Sequence, residues 1–212
     1  MGSSHHHHHH SQDPMPPSKI QCLETFERTY GHLYLQHASL MRHLAYLLDK
    51  IARSYPHMCP LPDNMEAYFE NYIPNKDIPL DTYQKIFKLS SEDLEQVYKE
   101  GYNAYLQGDY EESSTAFYWL IFFNPFVSKF WFSLGASLHM RQKYQQALHA
   151  YGVAALLREK DPYPHYYAYI CYTLLNNPEE AEKALDLAWQ KVKTSSAYSS
   201  LKEEILAIKS YA

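Results

Sequence analysis

The sequence predicts an all-α fold of tandem helix–turn–helix repeats, and three observations carry that prediction. Residues of like type recur 34 apart: Gly101 and Gly135, Tyr110 and Tyr144, Phe117 and Tyr151, Ala147 and Ala181. Turn residues punctuate the same register at Gln107-Gly108-Asp109, Gln142-Lys143 and Asn176-Asn177-Pro178. Between the turns run apolar stretches long enough for helices of about 14 residues, none of which can bury its apolar face alone, so that neighbouring units must stack and share one core.

Taken in chain order, residues 1–14 contain the run His5 to His10, read as an expression tag, and are set aside, with Met15 starting the native numbering. Residues 15–89 form an N-terminal helical extension. From Lys19 to Arg53 the positions Leu23, Phe26, Tyr30, Leu33, His37, Leu40, Leu44, Leu47 and Ile51 alternate spacings of three and four, a heptad-like stripe. Gly31 bends or divides it, since Gly costs about 1 kcal/mol against Ala inside a helix. The stripe reads either as a helix laid on the chain's own repeats or as a face for self-association or a second partner. Pro56, Pro60 and Pro62 make residues 55–62 a proline-rich linker. His57 and Cys59 lie within it, but no second pair at zinc spacing accompanies them, and no metal site is expected. Short helices are predicted at 65–72 and 79–89.

The repeats occupy 90–195, as units 94–127, 128–161 and 162–195. Ser90-Ser91-Glu92-Asp93 is a strong helix start, with a capping hydroxyl and first-turn acids. Packing positions are filled by Trp131, Leu134 and Leu138 in a first helix, by Phe117, Tyr151 and Leu185 in second helices, and by Ala154 and Ala188 where helices cross. Ser113 and Tyr169 replace smaller residues and predict wider crossings. Residues 196–212 are read as a C-terminal capping helix, with Ser200-Leu-Lys-Glu203 as a capping box. A 34-residue period with these offsets is the signature of tetratricopeptide (TPR) repeats.

Composition narrows the function. The chain has 19 bases against 24 acids, the bases are scattered, and no nucleic-acid partner is expected. Three distant cysteines, Cys22, Cys59 and Cys171, read as free thiols in a reducing cytoplasm. The longest apolar run, Ala116 to Phe123, is closed by Asn124-Pro125 and is too short to span a bilayer, so no stable membrane insertion is expected. No cofactor is implied. Histidines are dispersed and no nucleophile motif or phosphate loop occurs, so the chain reads as no enzyme. Twenty-one tyrosines supply large contact area with few rotatable bonds, which suits a binding surface.

In a TPR stack, positions 2, 5, 9 and 12 of each first helix face a concave groove. Those positions hold Tyr98, Tyr102 and Tyr105; Lys129, Phe132, Ala136 and His139; and Tyr163, Tyr166 and Ile170 with Thr173. They are the predicted peptide-binding residues. TPR domains that grip an acidic C-terminus use lysine and asparagine at set positions, where this chain has Tyr98, Tyr102, Ser133, Tyr163 and Tyr167, so no carboxylate clamp exists. An aromatic groove suits an extended apolar segment, with tyrosine hydroxyls reaching its backbone.

Four phrases point to one family: Leu89-Ser-Ser-Glu-Asp-Leu-Glu-Gln-Val-Tyr98, Gly108-Asp-Tyr-Glu-Glu112, Phe130-Trp-Phe-Ser-Leu-Gly-Ala136 and Asp161-Pro-Tyr-Pro164. Over residues 88–192 the chain resembles the class II chaperones of bacterial type III secretion, which bind translocator proteins, and among these the chlamydial kind. Tyr166-Tyr-Ala-Tyr-Ile-Cys171 departs from the family's Phe-His-Ala-Ala-Glu-Cys but keeps Ala168 and Cys171. The lead-in from Met15 is longer than is usual in the family. The resemblance implies a bacterial cytoplasmic, non-catalytic chaperone. It would hold apolar segments of translocators in the groove, with a gatekeeper protein as a further partner and a homodimer formed through the N-terminal helix. A general TPR scaffold of an unrelated complex is the alternative.

Overall fold

The computed structural model describes residues 19–55, 61–77 and 81–211, with side chains from Leu23 onward. The chain divides into two compact units, Met1–Asn64 and Met65–Ala212. The tag, His57, Cys59, Pro79 and the side chain of Cys22 lie outside the described residues.

In the first unit the heptad-like stripe is divided at Gly31. Helix α1 (Lys19–Tyr30) passes into a 3-10 turn (Gly31–Leu33) and then, after a short irregular stretch, into α2 (Ala38–Ser54). Phe26, Leu33, Leu40, Leu44, Leu47 and Ile51 of the stripe are buried, as the spacing requires. His37, read as part of the apolar stripe, is the residue that precedes α2 and is itself buried.

The second unit opens with two short helices, α3 (Met65–Phe69) and α4 (Tyr83–Ile86), both shorter than predicted. For α4 the reason is local. Thr82 Oγ1 accepts from the Lys85 N–H at its start, and at its end Lys88 takes a left-handed conformation (φ 55°) that lets the Leu89 N–H reach back to the Gln84 carbonyl. Six longer helices follow as three antiparallel pairs: α5 (Ser91–Leu106) with α6 (Tyr110–Phe123), α7 (Ser128–Met140) with α8 (Tyr144–Leu157), and α9 (Tyr163–Leu174) with α10 (Pro178–Val192). Each packs on its neighbours in sequence, as a repeat stack must.

The start of α5 is a full capping box, with Ser90 Oγ accepting from the Asp93 N–H at 3.0 Å and the Asp93 carboxylate accepting from the Ser90 N–H at 2.9 Å. Asp109 and Asn177 cap α6 and α10 in the same sense. Close crossings fall at Gly101 and Gly135. A Cβ at Gly101 would stand 2.9 Å from Ala116 Cβ, and one at Gly135 would stand 2.6 Å from the Tyr151 ring. Ser113 is buried, and its hydroxyl lies 2.8 Å from Ser137 Oγ and 3.1 Å from the Tyr110 carbonyl, so its polarity is satisfied inside the crossing.

Helix α6 is buried along its whole second half, Ala116 to Phe123. An all-apolar helix needs cover on every side. The repeats supply two sides, and α3 and α4 supply more, with Phe69 stacked on Tyr118 at 6.2 Å and Tyr83 on Phe122 at 4.8 Å. From α3 the chain continues as a strap across α7 and α8. Phe69 meets Trp131 edge-on at 5.8 Å, Tyr72 lies parallel to it at 6.3 Å, and the Tyr72 carbonyl lies 3.0 Å from His149 Nε2. Glu66 anchors the strap between Arg141 at 3.1 Å and Lys143 at 3.0 Å.

After a 3-10 turn (Ser196–Tyr198), helix α11 (Ser199–Ser210) closes the far end, where Leu201 and Ile205 join Tyr166, Leu185, Ala188 and Val192 in one buried cluster. The predicted box at Ser200 does not form. The helix already begins at Ser199, and the capping hydroxyl is that of Ser195, which accepts from the Ala197 N–H and serves the 3-10 turn.

Candidate aromatic groove

The first helices α5, α7 and α9 bring one set of rings together because positions 34 apart in sequence occupy equivalent faces of successive repeats. A cleft of about 330 Å³ is lined by Tyr98, Tyr102 and Tyr105 from α5 and by Phe132, Ala136 and His139 from α7. Tyr102 is 49% exposed and stacks at 6.3 Å on Tyr98. Phe132 meets Tyr167 edge-on at 5.6 Å, and Tyr167 stacks in turn on Tyr151 at 6.0 Å and on Tyr163 at 6.4 Å. His139 Nδ1 lies 3.4 Å from the Tyr151 hydroxyl.

The groove is uncharged. Burial, then the neighbouring hydroxyls of Tyr110 and Tyr167, hold the Tyr105 phenol above its ordinary range, and burial also raises Tyr151 and Tyr167. Burial pushes the His139 imidazole down, so it is neutral at pH 7. The one cation among the predicted residues, Lys129, sits over the Tyr98 ring at 4.0 Å and 3.6 Å from Glu95, with its charge already engaged. Such a surface offers aromatic faces and neutral hydroxyls to a ligand, and its described lining holds no Lys or Arg to pair with a carboxylate.

In the third repeat the register needs correction. Tyr166 and Ile170 do not line the cleft: Tyr166 is buried in the cluster under α11, Ile170 packs against it, and the Tyr166 hydroxyl donates to the Glu204 carboxylate at 2.7 Å. The physical reason is that α11 covers this end of the stack and takes the larger apolar side chains of α9 as its floor. Tyr169 turns the same way. Tyr167, one residue on, faces the cleft in place of Tyr166, as does its register mate Ser133. The buried floor rings Phe117 and Tyr151 were read as packing only, yet both also reach the cleft. Their small neighbours Gly101 and Gly135 carried the signal, because a helix without a side chain leaves the ring beneath it open to the groove.

Cys171 is buried and free, and burial pushes its thiol up to about 12, which suits packing and not reactivity. Among the described residues no helix is long and apolar enough to cross a membrane.

Stacked helical pairs at a 34-residue period, with an aromatic groove on their first helices, define a TPR peptide-binding protein. A tetratricopeptide repeat family model matches residues 128–161. A chain of the CopN–Scc3 complex is 69% identical, with a TM-score of 0.75, over 78% of this chain and 98% of that one. The Yersinia enterocolitica type III secretion translocator chaperone SycD is 26% identical, with a TM-score of 0.60, over 63% of this chain and 100% of its own. SycD with a peptide of the translocator YopD gives 28% identity and a TM-score of 0.54, over 57% of this chain and 92% of its own. Low calcium response locus protein H of Yersinia pestis is 28% identical over 124 residues, 58% of this chain and 74% of that protein. The chain belongs to the TPR-type translocator chaperones of type III secretion.

Proposed function

We propose that this protein is a cytoplasmic, non-catalytic chaperone of bacterial type III secretion. It holds an extended apolar segment of a translocator in the groove of α5, α7 and α9, and so keeps the translocator soluble and competent for secretion. The observation that carries this reading is the uncharged aromatic cleft of Tyr98, Tyr102, Tyr105, Phe132, Ala136 and His139, with Tyr167 standing where Tyr166 was expected; Tyr163 and Lys129 stand outside the lining, against Tyr167 and Tyr98. Covering an exposed apolar segment removes the drive for its premature association. The structure of SycD with a YopD peptide supports the class of ligand. The CopN–Scc3 complex supports a second partner, read here as a gatekeeper, and the N-terminal helix is the proposed homodimer contact.

Titration of a translocator N-terminal peptide onto wild type and onto Tyr102→Ala/Tyr105→Ala tests the groove. A loss of about 2 kcal/mol or more, roughly thirty-fold in Kd, is expected for truncated aromatic anchors. Unchanged affinity with intact helicity would remove these rings from the site. Deleting residues 15–60 without change in mass or partner binding would remove the dimer contact.

A further inference from the structure

A seam between the second helix of one repeat and both helices of the next occurs twice. Between the first and second repeats the strap fills it: Glu66 and Phe69 stand over Tyr118, Trp131, Leu134, Leu138 and His149, and only about 20 Å³ is left empty. Adding 34 to each of those five positions gives Gly152, His165, Ala168, Tyr172 and Lys183. All five line a second cleft, between α8, α9 and α10, of about 390 Å³. One seam is thus occupied by the chain itself, and among the described residues its translated copy stands open.

The copy differs from the original in ways that enlarge it, with Gly152 in place of a tyrosine and Ala168 in place of a leucine. Gly152 is the more informative of the two. It lies in the middle of α8, where glycine is the poorest helix former after proline. A Cβ built there meets nothing within 4 Å, whereas the Cβ positions of Gly101 and Gly135 are blocked by neighbouring side chains. No packing demand within the described residues accounts for Gly152, but an open seam does. Two further lining residues, Leu156 and Leu187, are 53% and 48% exposed.

The geometry points to this seam as a second docking site, for a short helical segment of a partner protein that sets a large apolar or aromatic side chain over Gly152. The filled seam shows what fits such a place: a single helical turn, Met65–Phe69, with Phe69 against the rings and Glu66 paired to Arg141 and Lys143. The register mates of those two cations are Leu175 and Asn177, and Lys183 of the lining is already paired with Glu180 at 3.0 Å, so a carboxylate on the new occupant meets Lys191 instead. This site and the aromatic groove both draw on α8 and α9 but share only Tyr151 among their lining residues.

The probe is a fluorescent peptide with the sequence of residues 64–77, titrated by anisotropy into the full chain and into Gly152→Trp, Leu156→Lys and Tyr102→Ala. Saturable binding to wild type is expected, weakened at least ten-fold in Gly152→Trp and in Leu156→Lys at unchanged Tm, and unaffected in Tyr102→Ala. Translocator-peptide binding should show the reverse pattern, so the two sites fail separately. The proposal is overturned by absence of saturable binding to wild type at millimolar probe. Equal binding to all variants overturns it too, because the probe then displaces the strap from the first seam. A wild-type dimer that Gly152→Trp dissolves would assign the seam to a second copy of the chain and overturn the partner segment.

Discussion

Gly135 leaves the Tyr151 ring no room for a methyl group, and the same ring forms the floor of the groove. Gly135→Ala should therefore cost about 1–3 kcal/mol, as overpacking does in a well-filled core. Gly152→Ala, placed in open space on the next helix, should instead stabilise by about 0.5–1 kcal/mol through helix propensity. Urea midpoints of the two variants should move in opposite directions, and equal shifts would contradict the packing assigned to them. Glu66 makes a residue-scale prediction in pH. Burial pushes its carboxyl up, but the hydrogen bond and charge of Lys143 and then the charge and hydrogen bond of Arg141 outweigh it, and the net displacement is downward. A depressed folded pKa means stability that is present above the ordinary carboxylate range, near pH 4.3, and lost as pH falls through the folded value. Glu66→Gln should thus lower stability by about 1 kcal/mol or less at pH 7, since the pair is partly exposed. The difference from wild type should shrink in denaturant titrations as pH is lowered below the ordinary carboxylate range.

At the scale of the element, the repeat is written in the backbone as well as in the side chains. Gly108, Gln142 and Asn176 take φ of 82°, 62° and 55°, each 34 residues from the next. In each turn the following N–H reaches back five residues: Asp109 to the Ala104 carbonyl at 2.8 Å, Lys143 to Leu138 at 2.9 Å and Asn177 to Tyr172 at 2.9 Å. These are Schellman endings, which favour glycine because a left-handed residue with a side chain is strained by roughly 1–2 kcal/mol. Gln142→Gly should raise stability by up to about 1 kcal/mol, and Gly108→Ala should lower it by a similar amount, both read from thermal or urea unfolding. The first and third turns were legible from Gly108 and Asn176-Asn177. Gln142 carries no turn propensity and was legible only through the register. The starts of α5 and α6 were likewise legible from Ser90 and Asp109, while α11 differs at its start, where no side chain caps it because a 3-10 turn capped by Ser195 runs directly into it at Ser199.

Across the second unit as a whole, the two open ends of the repeat stack are closed by segments outside the repeat. Helix α11 covers Tyr166, Leu185, Ala188 and Val192, and α3 and α4 cover the apolar flank of α6. Truncation after Lys193 should bare that first cluster. Amides of α9 and α10 should then lose hydrogen-exchange protection while those of α5 to α7 keep theirs, because each repeat contacts only its neighbours. Uniform loss across all three repeats would show instead that the stack unfolds as one block.

What the sequence by itself determined is everything that repeats: the 34-residue register, the places where helices turn, the buried set from Trp131 to Ala188, and the aromatic, uncharged character of the groove. Each of these follows from period and local chemistry, since a pattern copied three times reports both the fold of one unit and its contact with the next. Only the tertiary structure decided what does not repeat. It turned Tyr166 under α11 and Tyr167 into the groove, and it laid residues 65–77 across Trp131 and His149. Those choices depend on complementary surfaces far apart in sequence, and neither a period nor a propensity carries information about which distant surface a single unrepeated segment will cover.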